Sequence, residues 1–190
     1  GWGYNIQTLL AAGREPRLLL DAVIADRPVA IMEETSHSTW VNTLALATLG
    51  ITASSPDPQG GIIVRGRGGR PNGLLLDAAG EYPWEAALAP NDVLRAENLA
   101  ALREAMQHNA AYGITSAVDA RTYVQRGYLD AYRALERSGE LTTRMVLSLW
   151  ASPLAGDDAQ IALLRSLFRD DGGRLRVRQV KFYSDGLLQN

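Results

Sequence analysis

Ile114-Thr115-Ser116-Ala117-Val118-Asp119-Ala120, Thr143-Arg144-Met145-Val146-Leu147-Ser148-Leu149-Trp150 and Val177-Arg178-Gln179-Val180-Lys181-Phe182-Tyr183 are three β-branched or apolar runs separated by helical periods. Leu129, Tyr132 and Leu135 form one helical stripe that stops at Gly139, and Ile161, Leu164, Leu167 and Phe168 form another that stops at Gly172-Gly173. A longer helix precedes the first run, with Leu99, Leu102 and Met106 on its buried side and Gly113 as its stop. Strands alternating with helices predict βαβ units and a parallel sheet, so the fold class is α/β. A complete (β/α)8 TIM barrel needs about 250 residues. Only three strand units fit after residue 113, which gives a partial barrel with strands near 114–120, 143–150 and 177–183. No glycine-rich phosphate turn follows any strand, so nucleotide-binding open sheets are unsupported.

The chain before this segment has another texture. Short helices are expected at Ile6 to Ala12 and at Leu18 to Ala25, then a strand at Val29-Ala30-Ile31-Met32. A helix is predicted from a serine cap at Ser36, with Val41, Leu44, Ala45, Thr48 and Leu49 as its stripe and Gly50 as its end. Gly61-Ile62-Ile63-Val64-Arg65 and Gly73-Leu74-Leu75-Leu76-Asp77 flank a glycine-rich turn and predict a β-hairpin. The expected organisation is an N-terminal α+β insertion over residues 1–100, a substrate-side subdomain, followed by the barrel segment over 101–190.

Composition narrows the function classes. The 190 residues are 46% hydrophobic and 21% charged, which excludes wholesale disorder. A net charge of −2 with no basic block argues against nucleic acid as a partner. No apolar run approaches the roughly 20 residues that span a bilayer, so no membrane partner is expected. With no cysteine, any metal must be held by oxygen or nitrogen. The 19 basic residues are 18 arginines and one lysine, Lys181. Arginine stays protonated, whereas a lysine amine can be neutralised by burial and react.

Period-two alternation puts Gln179, Lys181 and Tyr183 on one face of the last run and Val180 and Phe182 on the other. Inside a barrel, Lys181 would stand near the carboxyl end of its strand, where active sites of that fold gather. It could bind an anion, form a Schiff base, become a carbamate that bridges metals, or simply pair with Asp119 or Asp185. His37 precedes an expected helix start, which favours a neutral ring able to contact substrate or metal. His108 falls late in the long helix and reads as a surface residue. Asp119 ends its strand and could equally be a helix cap.

The order and spacing of several motifs make the chain resemble the YtcJ-like, or amidohydrolase family 3, branch of the metal-dependent amidohydrolases. They include Gly1-Trp2-Gly3, Leu20-Asp21 with Arg27-Pro28-Val29, Ser36-His37-Ser38-Thr39-Trp40-Val41-Asn42-Thr43-Leu44-Ala45-Leu46, Gly60-Gly61-Ile62-Ile63-Val64-Arg65, Arg70-Pro71-Asn72-Gly73-Leu74-Leu75, Gly113-Ile114-Thr115-Ser116 with Asp119-Ala120, and Val180-Lys181-Phe182-Tyr183-Ser184-Asp185-Gly186. The family commonly has aspartate and glycine where this chain has Thr35 and Ser36.

The resemblance implies a barrel hydrolase that cleaves amide-type C–N bonds with metal-activated water, using one or two divalent ions, often zinc. It implies that Lys181 is a metal ligand, as a carbamylated bridge, and that His37 is substrate-binding, with no catalytic acid or base on this chain. The chain would be an internal fragment, inactive alone: a His-x-His motif would lie upstream of Gly1, and further histidines and an aspartate downstream of Asn190. A small-molecule substrate, a cytoplasmic location and compatibility with a homo-oligomer complete the expectation. The competing readings are a Schiff-base lyase that uses Lys181 and a non-catalytic binding module.

Overall fold

The structure is a computed structural model that describes residues 1–183. They fall into two compact units, Gly1–Ala87 and Leu88–Tyr183. Among the described residues no helix is long and apolar enough to cross a membrane.

The first unit is a five-stranded sheet with helices. Its elements are β1 (Trp2–Tyr4), α1 (Ile6–Ala11), α2 (Pro16–Asp21), β2 (Ala30–Glu33), β3 (Ser38–Val41), α3 (Thr43–Thr48), β4 (Gly61–Arg65), β5 (Pro71–Asp77) and α4 (Ala78–Ala87). The strand order is β1-β2-β3-β5-β4. Only β1 and β2 are parallel; the remaining neighbours are antiparallel. The hairpin expected from the two glycine-flanked runs is present, with Ile62 opposite Leu76 and Ile63 opposite Leu75. Val41, Ala45, Leu46, Ile63, Leu75 and Ala79 form the core.

Two elements differ from expectation: α2 spans Pro16–Asp21 in place of Leu18 to Ala25, and the segment that follows Ser36 is not helical. The helix predicted from Ser36 begins only at Thr43, and Ser38–Val41 is a strand. Thr39, Trp40 and Val41 are β-branched or aromatic and suit a half-buried sheet, and β2 and β5 supply ladders on both sides. The cap is Asn42, whose side chain accepts from the Ala45 N–H at 2.8 Å. A buried apolar residue every few positions cannot by itself distinguish four residues of strand plus a short helix from one longer helix.

The second unit contains α5 (Asp92–Ala111), β6 (Ser116–Thr122), α6 (Tyr128–Ser138), β7 (Arg144–Trp150), α7 (Asp157–Leu167) and β8 (Leu175–Lys181). The sheet order is β6-β7-β8, and both pairs are parallel. Each strand-to-strand connection carries a helix, as parallel neighbours require. Met145, Leu147 and Leu149 of β7 and Leu175 and Val177 of β8 pack with Met106 of α5 and Leu129, Tyr132 and Leu135 of α6. α6 ends where Gly139 adopts the left-handed conformation at φ 77°. The α7 stripe is narrower than expected: Leu164 and Leu167 join the core, while Ile161 and Phe168 are exposed. Phe168 already has extended backbone, because the chain there turns to bridge Arg169 to Val177.

Candidate active site

β7 has two distinct faces. Met145, Leu147 and Leu149 meet the helices, so Val146, Ser148 and Trp150 face the other way. On β8, Gln179 pairs with Ser148 and Lys181 with Trp150, with a register shift between Leu147 and Ser148. Lys181 therefore stands on the sheet face away from the helices, at the carboxyl end of its strand. The Ser148 hydroxyl donates to Gln179 Oε1 at 2.7 Å on the same face. Among the described residues no carboxylate pairs with Lys181; its Nζ lies 4.7 Å from the centre of the Tyr183 ring. Asp185, one of the ion-pair partners considered from sequence, lies outside the described residues.

Asp119 is not beside Lys181. It pairs with Leu147 on the helix-facing side, accepts the Tyr132 hydroxyl at 3.3 Å and the Arg121 backbone N–H at 3.2 Å. It caps no helix. Burial first, and the Asp119 charge second, push the Tyr132 phenol well above its ordinary range. The two side chains line a cavity of about 340 Å³ between α5 and α6, together with Asn98, Leu102 and Tyr128. His108 is confined to α5, where its ring lies 5.0 Å from that of Tyr112 one turn on.

Sequence reasoning missed the group around Trp150. The Arg121 guanidinium lies 4.7 to 4.9 Å from the ring centres of Tyr123, Trp150 and Tyr183, and Arg126 lies 3.6 Å from that of Tyr123. Contacts this short place cations over aromatic faces. The only sequence signal was the joint appearance of Arg121, Tyr123 and Trp150 just at or past strand ends. A bulge between Asp119 and Thr122 turns Arg121 toward Trp150.

In the first unit, His37 Nδ1 is 2.9 Å from Asp77 Oδ1, with each side chain a little over a quarter exposed. His37 sits just before β3, and Asp77 ends β5. Antiparallel pairing of Ser38 with Leu76 brings the two together, and the Asp77 N–H donates to the His37 carbonyl at 2.8 Å. Glu33 is buried and accepts the Thr35 hydroxyl. The Tyr4 and Ser38 hydroxyls are 2.5 Å apart, and burial pushes the Tyr4 phenol up to about 12.

Among the described residues no three histidine, aspartate or glutamate side chains converge on a point that could hold a metal ion. Lys181 alone does not make such a site, since metal centres take three or four protein ligands.

Comparison with known proteins gives these placements a context. A model of the amidohydrolase family matches residues 1–190. The putative amidohydrolase YtcJ of Bacillus subtilis is 45% identical over 60 residues, which cover 32% of this chain and 11% of that protein. The N-substituted formamide deformylase of Arthrobacter pascens is 33% identical over 128 residues, covering 66% of this chain and 23% of the relative. The chain thus spans less than a quarter of either relative. An uncharacterized metal-dependent hydrolase from Pyrococcus horikoshii has a similar fold over all of this chain and 34% of its own, with a TM-score of 0.58 at 22% identity. A second, from Pyrococcus furiosus, gives a TM-score of 0.53, also at 22% identity and over 36% of its length. With its whole length matched by the family model and its motifs in the order of the YtcJ-like branch, the chain belongs to the amidohydrolase family, as a family 3 member.

Proposed function

We propose that the chain forms part of a metal-dependent hydrolase of C–N bonds, with Gly1–Ala87 as the substrate-side subdomain and Leu88–Tyr183 as a segment of a TIM barrel. The observation that carries this reading is the position of Lys181, the sole lysine, at a strand's carboxyl end on the sheet face away from the helices, with no carboxylate partner among the described residues. An amine in that place fits a ligand role better than a structural one.

In this reading the neutral amine of Lys181 would add carbon dioxide and release one proton to solvent, and the resulting carbamate would offer oxygen ligands to one or two divalent ions, zinc in our assignment. The remaining ligands must come from outside the described residues. A bound divalent ion supplies water activation and polarisation of the scissile carbonyl. His37 holds the substrate, a small molecule. The name of the Arthrobacter relative suggests an N-substituted formamide or related amide as the first substrate to try. The same reading places the protein in the cytoplasm, with neither nucleic acid nor membrane as partner, and accommodates a homo-oligomer.

The test is Lys181→Arg in the protein that contains residues 1–190. Amine release from an N-substituted formamide should disappear together with bound metal, and Lys181→Ala with added short carboxylic acid should regain part of both. Full activity and full metal content in Lys181→Arg would defeat the assignment. Trapping of Lys181 by borohydride in the presence of substrate would point instead to a Schiff-base lyase.

A further inference from the structure

The polar side chains of Ser38 to Thr43 are all engaged by other groups of the same unit. Ser38 bonds Tyr4, and Thr39 donates to the Gly80 carbonyl while accepting from Trp84. Trp40 donates to the Pro16 carbonyl. Asn42 makes four bonds, and Thr43 donates to Asp21. His37 differs from these neighbours. Its Nδ1 meets Asp77, and its Nε2 has no partner among the described residues.

Asp77 is unusual in its own right. It stands immediately before α4, where an aspartate ordinarily caps a helix N–H, yet its carboxylate is aimed at His37 instead. Its backbone is left-handed at φ 47°, and so is that of Ser36, beside His37, at φ 66°. Such conformations are strained at residues other than glycine and concentrate at functional positions. One of them is Asp77 itself and the other adjoins His37.

We propose that Asp77 is a positioning residue that selects the Nδ1–H tautomer whenever the His37 ring is neutral, so that Nε2 is then presented as a hydrogen-bond acceptor for an N–H or O–H group of the ligand. A carboxylate accepts and does not donate, so the hydrogen of the 2.9 Å contact belongs to Nδ1. The state of one ring nitrogen then fixes the other. The inference rests on the substrate-binding reading of His37 and narrows it. The preferred ligand is an amide that still carries an N–H over one fully substituted on nitrogen.

Two measurements test this. The first is heteronuclear NMR of the histidine rings in the chain, about two pH units above the ordinary histidine value, with His37→Gln to assign the signals. Wild-type His37 should be at least about tenfold biased to Nδ1–H by the accepting carboxylate. Asp77→Gly removes the carboxylate but suits the positive φ, and should abolish that bias. A wild-type ring in the Nε2–H form, or an unchanged bias in Asp77→Gly, overturns the proposal. No hydrolysis is involved, so the result stands apart from the fate of the hydrolase assignment. The second is made on the active, metal-loaded protein that contains residues 1–190. Asp77→Gly should raise KM about two- to fivefold for an amide with an N–H, since the acceptor tautomer falls from nearly the whole ring population to about a half or a fifth of it. It should leave KM for the N,N-disubstituted analogue and kcat for both nearly unchanged. Equal rises in KM for the two amides would overturn the acceptor role.

Discussion

Lys181 and Asp119 stand on opposite faces of one three-stranded sheet. Lys181 is paired with Trp150, whereas Asp119 is paired with Leu147 and hydrogen-bonded by Tyr132. The ion pair that would make Lys181 a structural residue is therefore not formed between them. Lys181→Arg or Lys181→Met should shift the unfolding free energy by no more than about 1 kcal/mol, the size of one cation–π contact with Tyr183. Urea unfolding of both variants checks this. A loss above about 3 kcal/mol would show a buried ionic partner.

Asn42 is a fixed node of the first unit. It is fully buried, and its Oδ1 accepts from Ala45 N–H at 2.8 Å and Val29 N–H at 3.0 Å. Its Nδ2 donates to the Ile24 and Arg27 carbonyls at 3.0 and 2.8 Å. Asn42→Ala removes a helix cap worth about 1 kcal/mol and strands three further backbone groups at about 1 kcal/mol or more each. The expected loss is about 3 kcal/mol or more by equilibrium unfolding. Asn42→Asp keeps the acceptors but turns a charge toward two carbonyls, and should cost no less.

How far the fold could be read ahead differs between the two units. The three parallel strands were legible because β7 and β8 carry strong apolar runs and α6 carries Leu129, Tyr132 and Leu135 at helical spacing before a glycine stop. The strand at Ser38–Val41 was not, since its pairing partners, Ala30–Met32 and Leu74–Leu76, are set by long-range register rather than local pattern. The same limit hid Asp77, which meets a histidine 40 residues away. Lys181 drew notice by being the sole lysine. Asp119 was placed at a strand end from sequence, but β6 runs on to Thr122, and its parity against Leu147 turns Asp119 to the helix side.

Backbone conformation predicts opposite responses at two positions of the first unit. Ser36 has φ 66°, which costs a side-chain-bearing residue about 1–2 kcal/mol. Ser36→Gly removes that strain but loosens the unfolded chain by about 0.4–1 kcal/mol. A net gain of about 0.5 kcal/mol is expected. Gly73 has φ 99°, and a Cβ there would lie 2.6 Å from the Val41 carbonyl oxygen and 2.7 Å from the Arg17 nitrogen. These neighbours are backbone and cannot swing aside, so Gly73→Ala should destabilise by about 3 kcal/mol or more. Thermal unfolding of both variants checks the signs, and a stable Gly73→Ala chain would mean that α2 and β3 do not enclose this position.

Two phenols, half-buried Tyr4 and buried Tyr132, set the response to alkali. Burial pushes the Tyr4 hydroxyl up to about 12; the Glu33 charge adds to the shift and the Ser38 hydrogen bond opposes it. Tyr132 is shifted in the same direction by burial and by Asp119. In the unfolded chain both phenols ionise near pH 10, while in the folded chain they keep their protons to higher pH. Below that point the two states bind the same number of phenolic protons, and the shifts contribute no pH dependence. Above it the folded state binds more, so stability falls as pH rises. For Tyr4 the fall between about pH 10 and 12 is of the order of 2 kcal/mol. Tyr4→Phe and Tyr132→Phe each forfeit a hydrogen bond worth about 1 kcal/mol at neutral pH, and together should flatten the alkaline slope. Urea unfolding at a series of pH values from about 8 to 11.5 measures that slope directly. An equal slope in wild type and in the double variant would show that these hydroxyls reach solvent.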